Sequence, residues 1–176
     1  MHRRPDEALL VLRASAGDRP ALEALLQQAS PALHRYAASL AGAQDADDIL
    51  QDTLIQICRK LPWLEQPERF RAWSYRIASR LAFRHLRRQR RVTTVAMEDA
   101  LVAEIEASPP AMDEAALDHL LEHAALSPAS RAVLLLHFRE EMPLAEIAAV
   151  LEIPLGTVKS RLAFGLKTLR THARRP

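Results

Sequence analysis

Hydroxyl-bearing and cationic side chains recur at helical spacing between residues 157 and 170. Hydroxyl groups exchange hydrogen bonds with base edges, and lysine and arginine neutralise phosphates. A short exposed helix carrying both kinds of side chain suits the major groove of duplex DNA. The same periodicity is compatible with an ordinary helical hairpin that has a solvated basic face. The outward residues are Thr157, Ser160, Arg161, Phe164 and Lys167, with Lys159 and Arg170 beside them.

A second cationic pattern lies in a helix that we predict from Arg69 to Arg91. Its arginines step by 4, 4, 3 and 4 residues, which keeps them on one stripe about 22 Å long. Like charges at this spacing repel by roughly 0.2–0.5 kcal/mol per pair, and a polyanion relieves that repulsion. The stripe therefore favours nucleic-acid binding over a merely solvated face. Its members are Arg76, Arg80, Arg84, Arg87 and Arg91.

Three carboxylates, from Asp45, Asp48 and Asp52, share one face of the helix that begins near residue 45. They could hold a metal, stay solvated or dock a basic partner. No histidine adjoins them in the sequence, which argues against a metal. Two prolines then break the helical pattern, so Trp63 lies in a loop. There it either packs or offers a stacking surface to an extruded base.

Enzymatic chemistry has little support in the sequence. His119 and His123 lie four residues apart beside Asp118. Together these side chains could bind a metal, so one alternative function for the chain is that of a metal-dependent hydrolase. No third spaced ligand accompanies them, and four glycines leave little material for a phosphate-binding loop. We predict no enzyme activity, no metal and no cofactor. The single cysteine, Cys58, excludes an internal disulfide, suits a reducing cytoplasm and is expected to be a buried thiol.

The elements that position these residues are predicted to be helices throughout, giving an all-α fold. Alanine and leucine dominate, aromatic residues are few and no alternating strand pattern occurs. No apolar run reaches the roughly 18 residues that a membrane span needs. Early helices are expected over 6–16, over 20–28, and from a Ser30-Pro31 cap to near Gly42. Near the end, Ser127-Pro128 is predicted to cap a helix, and Pro143 to lie in the first turn of the next one.

Charge distribution divides the chain. From Val92 to Ser130 there is no lysine or arginine, and eight residues are acidic. We predict a helical domain at 1–91, an acidic linker at 92–113 and a second helical domain at 114–176. The linker is expected to contain a short helix from Met97 to Ile105.

The final helical pair resembles region 4 of the small alternative sigma factors of bacterial RNA polymerase, the extracytoplasmic-function group. The resemblance lies in Glu146-Ile147-Ala148, Ile153-Pro154 and Gly156-Thr157-Val158-Lys159-Ser160-Arg161-Leu162. It implies contacts with the −35 promoter element by Thr157, Lys159, Ser160, Arg161, Phe164 and Lys167. Two residues depart from the family. Glu152 stands where glycine is frequent, so a left-handed backbone there would be strained. Phe164 replaces a basic residue, which either removes a phosphate contact or adds a contact to a thymine methyl group.

The first domain resembles sigma region 2, in Asp45 to Leu54 and in Phe70-Arg71-Ala72-Trp73 with Ile77-Ala78 and Leu86-Arg87-Arg88. By resemblance, core polymerase binds at Asp45, Asp48, Gln51 and Asp52. The loop from Pro62 to Arg69 would hold the flipped −10 base. The residues expected at the −10 element and in melting are Trp63, Arg69, Trp73, Arg76, Arg80, Arg84, Arg87 and Arg88. Arg80 and Arg84 replace the Asn and Asp that the family commonly has, which bears on −10 specificity.

The function implied by this resemblance is that of a promoter-recognition subunit. It would bind core polymerase, recognise the −10 and −35 elements and support promoter melting in the cytoplasm. Its expected partners are bacterial RNA polymerase core, promoter DNA and, as is usual in the family, an inhibitory anti-sigma factor. The alternative is a helix-turn-helix regulator that binds duplex DNA without polymerase.

Overall fold

The computed structural model of the chain describes residues 5–90 and 126–173. The chain divides into two compact units, Met1–Leu86 and Arg87–Pro176. Every regular element in the described ranges is helical, which confirms the predicted all-α class. Within those ranges no helix is both long and apolar enough to span a membrane. The predicted linker, its helix over 97–105 and the pair His119 and His123 lie outside the described residues.

The first unit opens with α1 (Pro5–Ser15) and α2 (Arg19–Ala41), which pack on each other. Gly17 takes a φ of +92° in the turn between them. Asp18 caps α2 by accepting a hydrogen bond of 3.1 Å from the Ala21 N–H. That bond and the Arg13 guanidinium hold the pKa of the Asp18 carboxyl below its ordinary value. The cap fixes the direction in which α2 leaves the turn.

The predicted break at Ser30-Pro31 is wrong, because α2 runs through Pro31 as one helix. Pro31 has no N–H to donate to the Gln27 carbonyl, but both residues are exposed, so water can satisfy that carbonyl. Leu25 and Leu33, on either side of the proline, are buried to within 2% exposure. Burial on both sides therefore maintains the helix across a residue that usually ends one.

Helix α3 (Ala43–Lys60) follows at once, after Gly42 turns the chain with a φ of +100°. Its buried face consists of Ala46, Ile49, Thr53 and Ile57. The expectation of a buried Cys58 is wrong, since the thiol is exposed. Cys58 follows buried Ile57 by one residue, and one residue rotates a side chain about 100° around a helix.

Two 3₁₀ turns, Leu61–Trp63 and Pro67–Arg69, lead into α4 (Phe70–Arg90). Helix α4 thus begins one residue after the predicted start. Its buried face consists of Phe70, Ser74, Tyr75, Ile77, Ala78, Ser79, Leu81 and Ala82. Tyr36 of α2 meets this face twice. Its hydroxyl lies 2.8 Å from Ser79 Oγ, and its ring packs edge-on to Tyr75 at 5.2 Å.

The second unit contains α5 (Pro128–Leu134), α6 (Leu144–Leu151) and α7 (Leu155–Ala173). The predicted Ser127 cap is confirmed, since its Oγ accepts from the Ser130 N–H at 3.2 Å. Helix α5 continues as a π-helical turn, Leu135–Arg139. Pro143 is the N-cap of α6 and not a first-turn residue, and its carbonyl accepts from the Ile147 N–H at 3.0 Å.

Candidate nucleic-acid interface

Helix α7 buries one side and turns the other outward, as the periodicity predicts. Val158, Leu166 and Leu169 are at most 5% exposed, and Leu162 is half-buried. We call the outward side the reading face, and it consists of Thr157, Ser160, Arg161, Phe164 and Lys167. Phe164 and Lys167 are exposed, while the other three are half-buried. Lys159 and Arg170 are also exposed and lie beside this face.

The hydroxyl groups of Ser160 and Thr168 on α7 are used as donors within the helix. Ser160 Oγ donates to the Thr157 carbonyl at 3.0 Å, and Thr168 Oγ1 donates to the Phe164 carbonyl at the same distance. Their oxygen atoms keep acceptor capacity. In the major groove, such oxygens suit the amino groups of adenine and cytosine.

The corner between α6 and α7 is tight and left-handed. Glu152 has φ 56° and ψ 45°, so this non-glycine residue takes the left-handed backbone, which generally costs roughly 1–2 kcal/mol. The Ile153 N–H donates to the Ala148 carbonyl at 3.1 Å, which closes the end of α6. The Val158 N–H then donates to the Pro154 carbonyl at 3.1 Å and starts α7. Three residues between the helices, Glu152 to Pro154, fix the direction of α7.

Gly165 brings α7 close to α5, a contact that the sequence analysis did not identify. A Cβ atom at Gly165 would lie only 2.8 Å from Leu134 Cδ1, and Leu134 is fully buried. The signal available in the sequence was a glycine inside a helical pattern, which often marks a close approach.

On α3, Asp48, Gln51 and Asp52 are all exposed, and we call them the docking face. Asp45 differs from its predicted neighbours, because its side chain is only 15% exposed and its Oδ1 lies 3.1 Å from Nε2 of His85 on α4. Asp45 therefore ties α3 to α4.

A second histidine also reaches the acidic segment. Nε2 of His34, on α2, lies 3.1 Å from Oδ1 of Asp47. Neither His34 nor His85 adjoins the carboxylates in sequence, so only the fold brings them there. Within residues 5–90 and 126–173, no three His, Cys, Asp or Glu side chains are placed to share a metal ion.

Trp63 is 75% exposed although the turn that carries it is anchored. Leu61 is 1% exposed, and its carbonyl accepts bonds from Ser15 Oγ at 3.2 Å and from the Leu64 N–H at 3.0 Å. Phe70 is also buried after the loop and lies 6.1 Å from half-buried Trp73, centroid to centroid. The loop therefore presents a large aromatic surface from a fixed base.

The arginine stripe of α4 is only partly as predicted. Arg80, Arg84 and Arg87 are exposed, as are Arg69 before the stripe and Arg88 beside it. Arg76 is half-buried, so the stripe reaches solvent fully from Arg80 onward. Arg91 lies outside the described residues.

Each of the two units matches a known protein family. The Sigma-70 region 2 family model covers residues 25–92, and the Sigma-70 region 4 model covers residues 116–169. The fold and the two matched regions define a protein of the sigma-70 class.

Individual relatives narrow the class. The ECF RNA polymerase sigma factor SigL of Mycobacterium tuberculosis is 32% identical over 162 residues, which cover 89% of this chain and 91% of that protein. SigE of Mycolicibacterium smegmatis is 32% identical over 159 residues, 87% of this chain but 62% of that longer protein. The sigma factor RpoE of Bartonella quintana, crystallised with the anti-sigma factor NepR, superposes with a TM-score of 0.66 at 25% identity, covering 87% of this chain and 98% of that one.

The chain belongs to the extracytoplasmic-function group of RNA polymerase sigma factors. Members of this group are transcription initiation factors and not enzymes.

Proposed function

We propose that this chain attaches to core RNA polymerase through the docking face of α3, opens the −10 region with the Trp63 loop and α4, and holds the −35 duplex with α7. The observation that carries the proposal is the presence of two separate outward faces suited to DNA. Each lies on a helix whose opposite side is buried, and each falls within a matched sigma region.

The docking face supports the polymerase contact through charge. Asp48 and Asp52 point to solvent with Gln51 between them, so their carboxylates are available to lysine or arginine of a partner. Asp45 takes a different part in the proposed site. Its contact with His85 positions the start of α3 against α4, so docking and melting surfaces share one rigid support.

The Trp63 loop supports the capture of an unpaired base. An indole ring that is 75% exposed leaves its face available, and base–aromatic stacking contributes about 1–3 kcal/mol per base. Because Leu61 and Phe70 anchor both ends of the loop, little conformational freedom is lost when the base arrives. Trp73, packed near Phe70, is proposed to support the floor of this site.

The exposed arginines of α4 support the separated strand. Arg80, Arg84 and Arg87 lie along one side of the helix after the loop, where they can neutralise successive phosphates. Arg69 and Arg88 extend the cationic surface in front of and beside that stripe. Half-buried Arg76 is proposed to contact the strand at the end of the stripe nearest the start of α4.

The reading face of α7 supports recognition of the −35 duplex. Hydroxyl acceptors at Thr157 and Ser160 suit base edges, whereas Lys159, Arg161 and Lys167 suit phosphates or guanine. We further propose that the chain works in the cytoplasm and is restrained by an anti-sigma factor, as the NepR complex of the Bartonella relative illustrates.

Run-off transcription tests the proposal directly. Purified full-length chain is combined with core polymerase and a pool of promoter fragments, and promoter-dependent transcripts are measured against core alone. We expect initiation from a defined subset of the fragments. Transcription no higher than that of core alone would overturn the proposed function.

A further inference from the structure

Phe164 is the one large apolar side chain on the reading face. It is 42% exposed on a helix whose other large apolar side chains, apart from Leu155 at its start, are buried or half-buried. Leaving an aromatic ring in water forfeits the free energy that burial would give it. Leu155 is equally exposed outside the reading face, so the position of Phe164 on that face, and not its exposure alone, points to a ligand.

The position of Phe164 on the helix indicates which part of the DNA it meets. Ser160 lies four residues before it and Lys167 three residues after it, so both fall within about 60° of Phe164 around the helix axis. Lys159 and Arg170, the exposed cations that suit phosphates, lie about 120–140° away, toward the side of the reading face. Phe164 is thus central on the face and not at the margin where phosphate contacts belong.

The chemical groups that the bases present in the major groove indicate which base Phe164 contacts. A phenyl ring has no hydrogen-bond group to offer the nitrogen and oxygen atoms on base edges. Among the four bases, only thymine presents an apolar group in the major groove, its C5-methyl. We infer that Phe164 is a specificity-determining residue that selects a thymine of the −35 element by packing against this methyl group, an inference that rests on the proposed function of α7.

Methyl-deletion scanning tests this contact without disturbing base pairing. A −35 element is first selected from a randomised promoter library with holoenzyme that contains the full chain. Each thymine of the selected element is then replaced singly by uracil, which lacks only the C5-methyl group. At one position we expect the affinity of wild-type holoenzyme to fall about fourfold, the effect of losing one buried methyl-sized group.

Two variants connect that effect to the side chain. Phe164→Ala holoenzyme is expected to bind the thymine and uracil promoters equally. Leu155→Ala is the matched control, because Leu155 is 41% exposed but lies about 180° around α7 from Phe164. It should keep the wild-type sensitivity to uracil. In a further pair of promoters, this thymine is replaced by cytosine or by 5-methylcytosine. The added methyl group should raise the affinity of wild-type holoenzyme above that for the cytosine promoter, and it should not do so for Phe164→Ala.

The outcomes separate this inference from the proposed function. Wild-type holoenzyme that selects no promoter at all would overturn both. A selected element without thymine on either strand, uniform indifference to uracil, or a uracil effect that persists in Phe164→Ala would overturn the inference alone. Thermal melting by circular dichroism verifies that Phe164→Ala remains folded, as the exposure of the ring leads us to expect.

Discussion

Helices α4 and α7 have the same design but different chemistry on their outward sides. Both bury one face in a helical unit and turn the other to solvent. The outward stripe of α4 repeats arginine, at positions 80, 84 and 87, whereas the reading face of α7 combines hydroxyl, aromatic and cationic side chains. A uniform row of cations binds polyanion with little regard to sequence, and a mixed face distinguishes base edges. Under the proposed function, α4 would therefore supply affinity for DNA and α7 would supply specificity.

Charge reversal on the docking face is expected to have the largest effect, because in the proposed function both α4 and α7 act on DNA only when the chain is bound to polymerase. In Asp48→Arg/Asp52→Arg, like charges would meet across the interface, and the affinity for core polymerase should fall more than about 100-fold. Equilibrium binding to purified core measures this. Glu23→Arg is the control, since Glu23 is an exposed acidic residue on α2 and not on the helix that carries the docking face. Equal losses in the two variants would contradict a localised docking face.

Removal of the exposed indole tests whether α4 acts alone in melting. Trp63→Ala should reduce the amount of open complex roughly 5- to 150-fold, which corresponds to the loss of stacking on one base. Permanganate reactivity of unpaired thymines in the −10 region reports the open complex. Trp63→Phe keeps an aromatic face and should recover part of the signal. An unchanged open complex in Trp63→Ala would assign melting to the arginines of α4 without the loop.

Neutralising the α4 stripe sharpens the contrast with α7. Each of Arg80→Gln, Arg84→Gln and Arg87→Gln should weaken binding to all promoters alike. Each should also reduce the slope of log K against log salt concentration by about 0.7, the value for a phosphate contact on a single strand. Arg59→Gln, an exposed arginine on α3, serves as the control. A change in which −10 sequences are preferred would show that the stripe reads bases as well.

The smallest expected effect concerns how firmly α7 is held. Gly165→Ala would place a methyl group 2.8 Å from Leu134 Cδ1, whereas Gly156→Ala meets nothing within 4 Å. Both substitutions replace glycine with a better helix former, and only Gly165→Ala adds a close contact, so their difference reports mainly the packing cost. We expect Gly165→Ala to be less stable than Gly156→Ala by about 1–3 kcal/mol in denaturant unfolding. Identical stabilities would mean that Leu134 moves aside freely.

Local patterns predicted much of this fold because they act over one or two turns. The periodicity of α7 and the Ser127 cap each follow from residues close in sequence. The left-handed corner at Glu152 was indicated only by the resemblance to a family in which glycine is frequent there. The break predicted at Pro31 failed for the opposite reason. Burial of Leu25 and Leu33 against neighbouring helices outweighs the local preference of proline, and no local pattern reports that burial.

The site was predictable as sets of residues on the outward sides of helices and not as contacts between helices. Spacing identified the reading face and the arginine stripe, but it grouped Asp45 with Asp48 and Asp52. The fold separates them, because His85, 40 residues away in sequence, reaches Asp45. Contacts such as that one, Tyr36 with Ser79 and Gly165 with Leu134, depend on how helices are packed. The proposed roles of all these site residues in binding remain predictions.

The outward thiol of Cys58 gives the chain a practical advantage in solution experiments. It is the one cysteine in the sequence, so a maleimide fluorophore would attach at a single known position without any engineered substitution. Cys58 lies six residues beyond Asp52, about 9 Å along α3 and about 120° around it. A dye there would sit beside the docking face, about 10 Å along α3 from Gln51, and its anisotropy would follow holoenzyme assembly in real time.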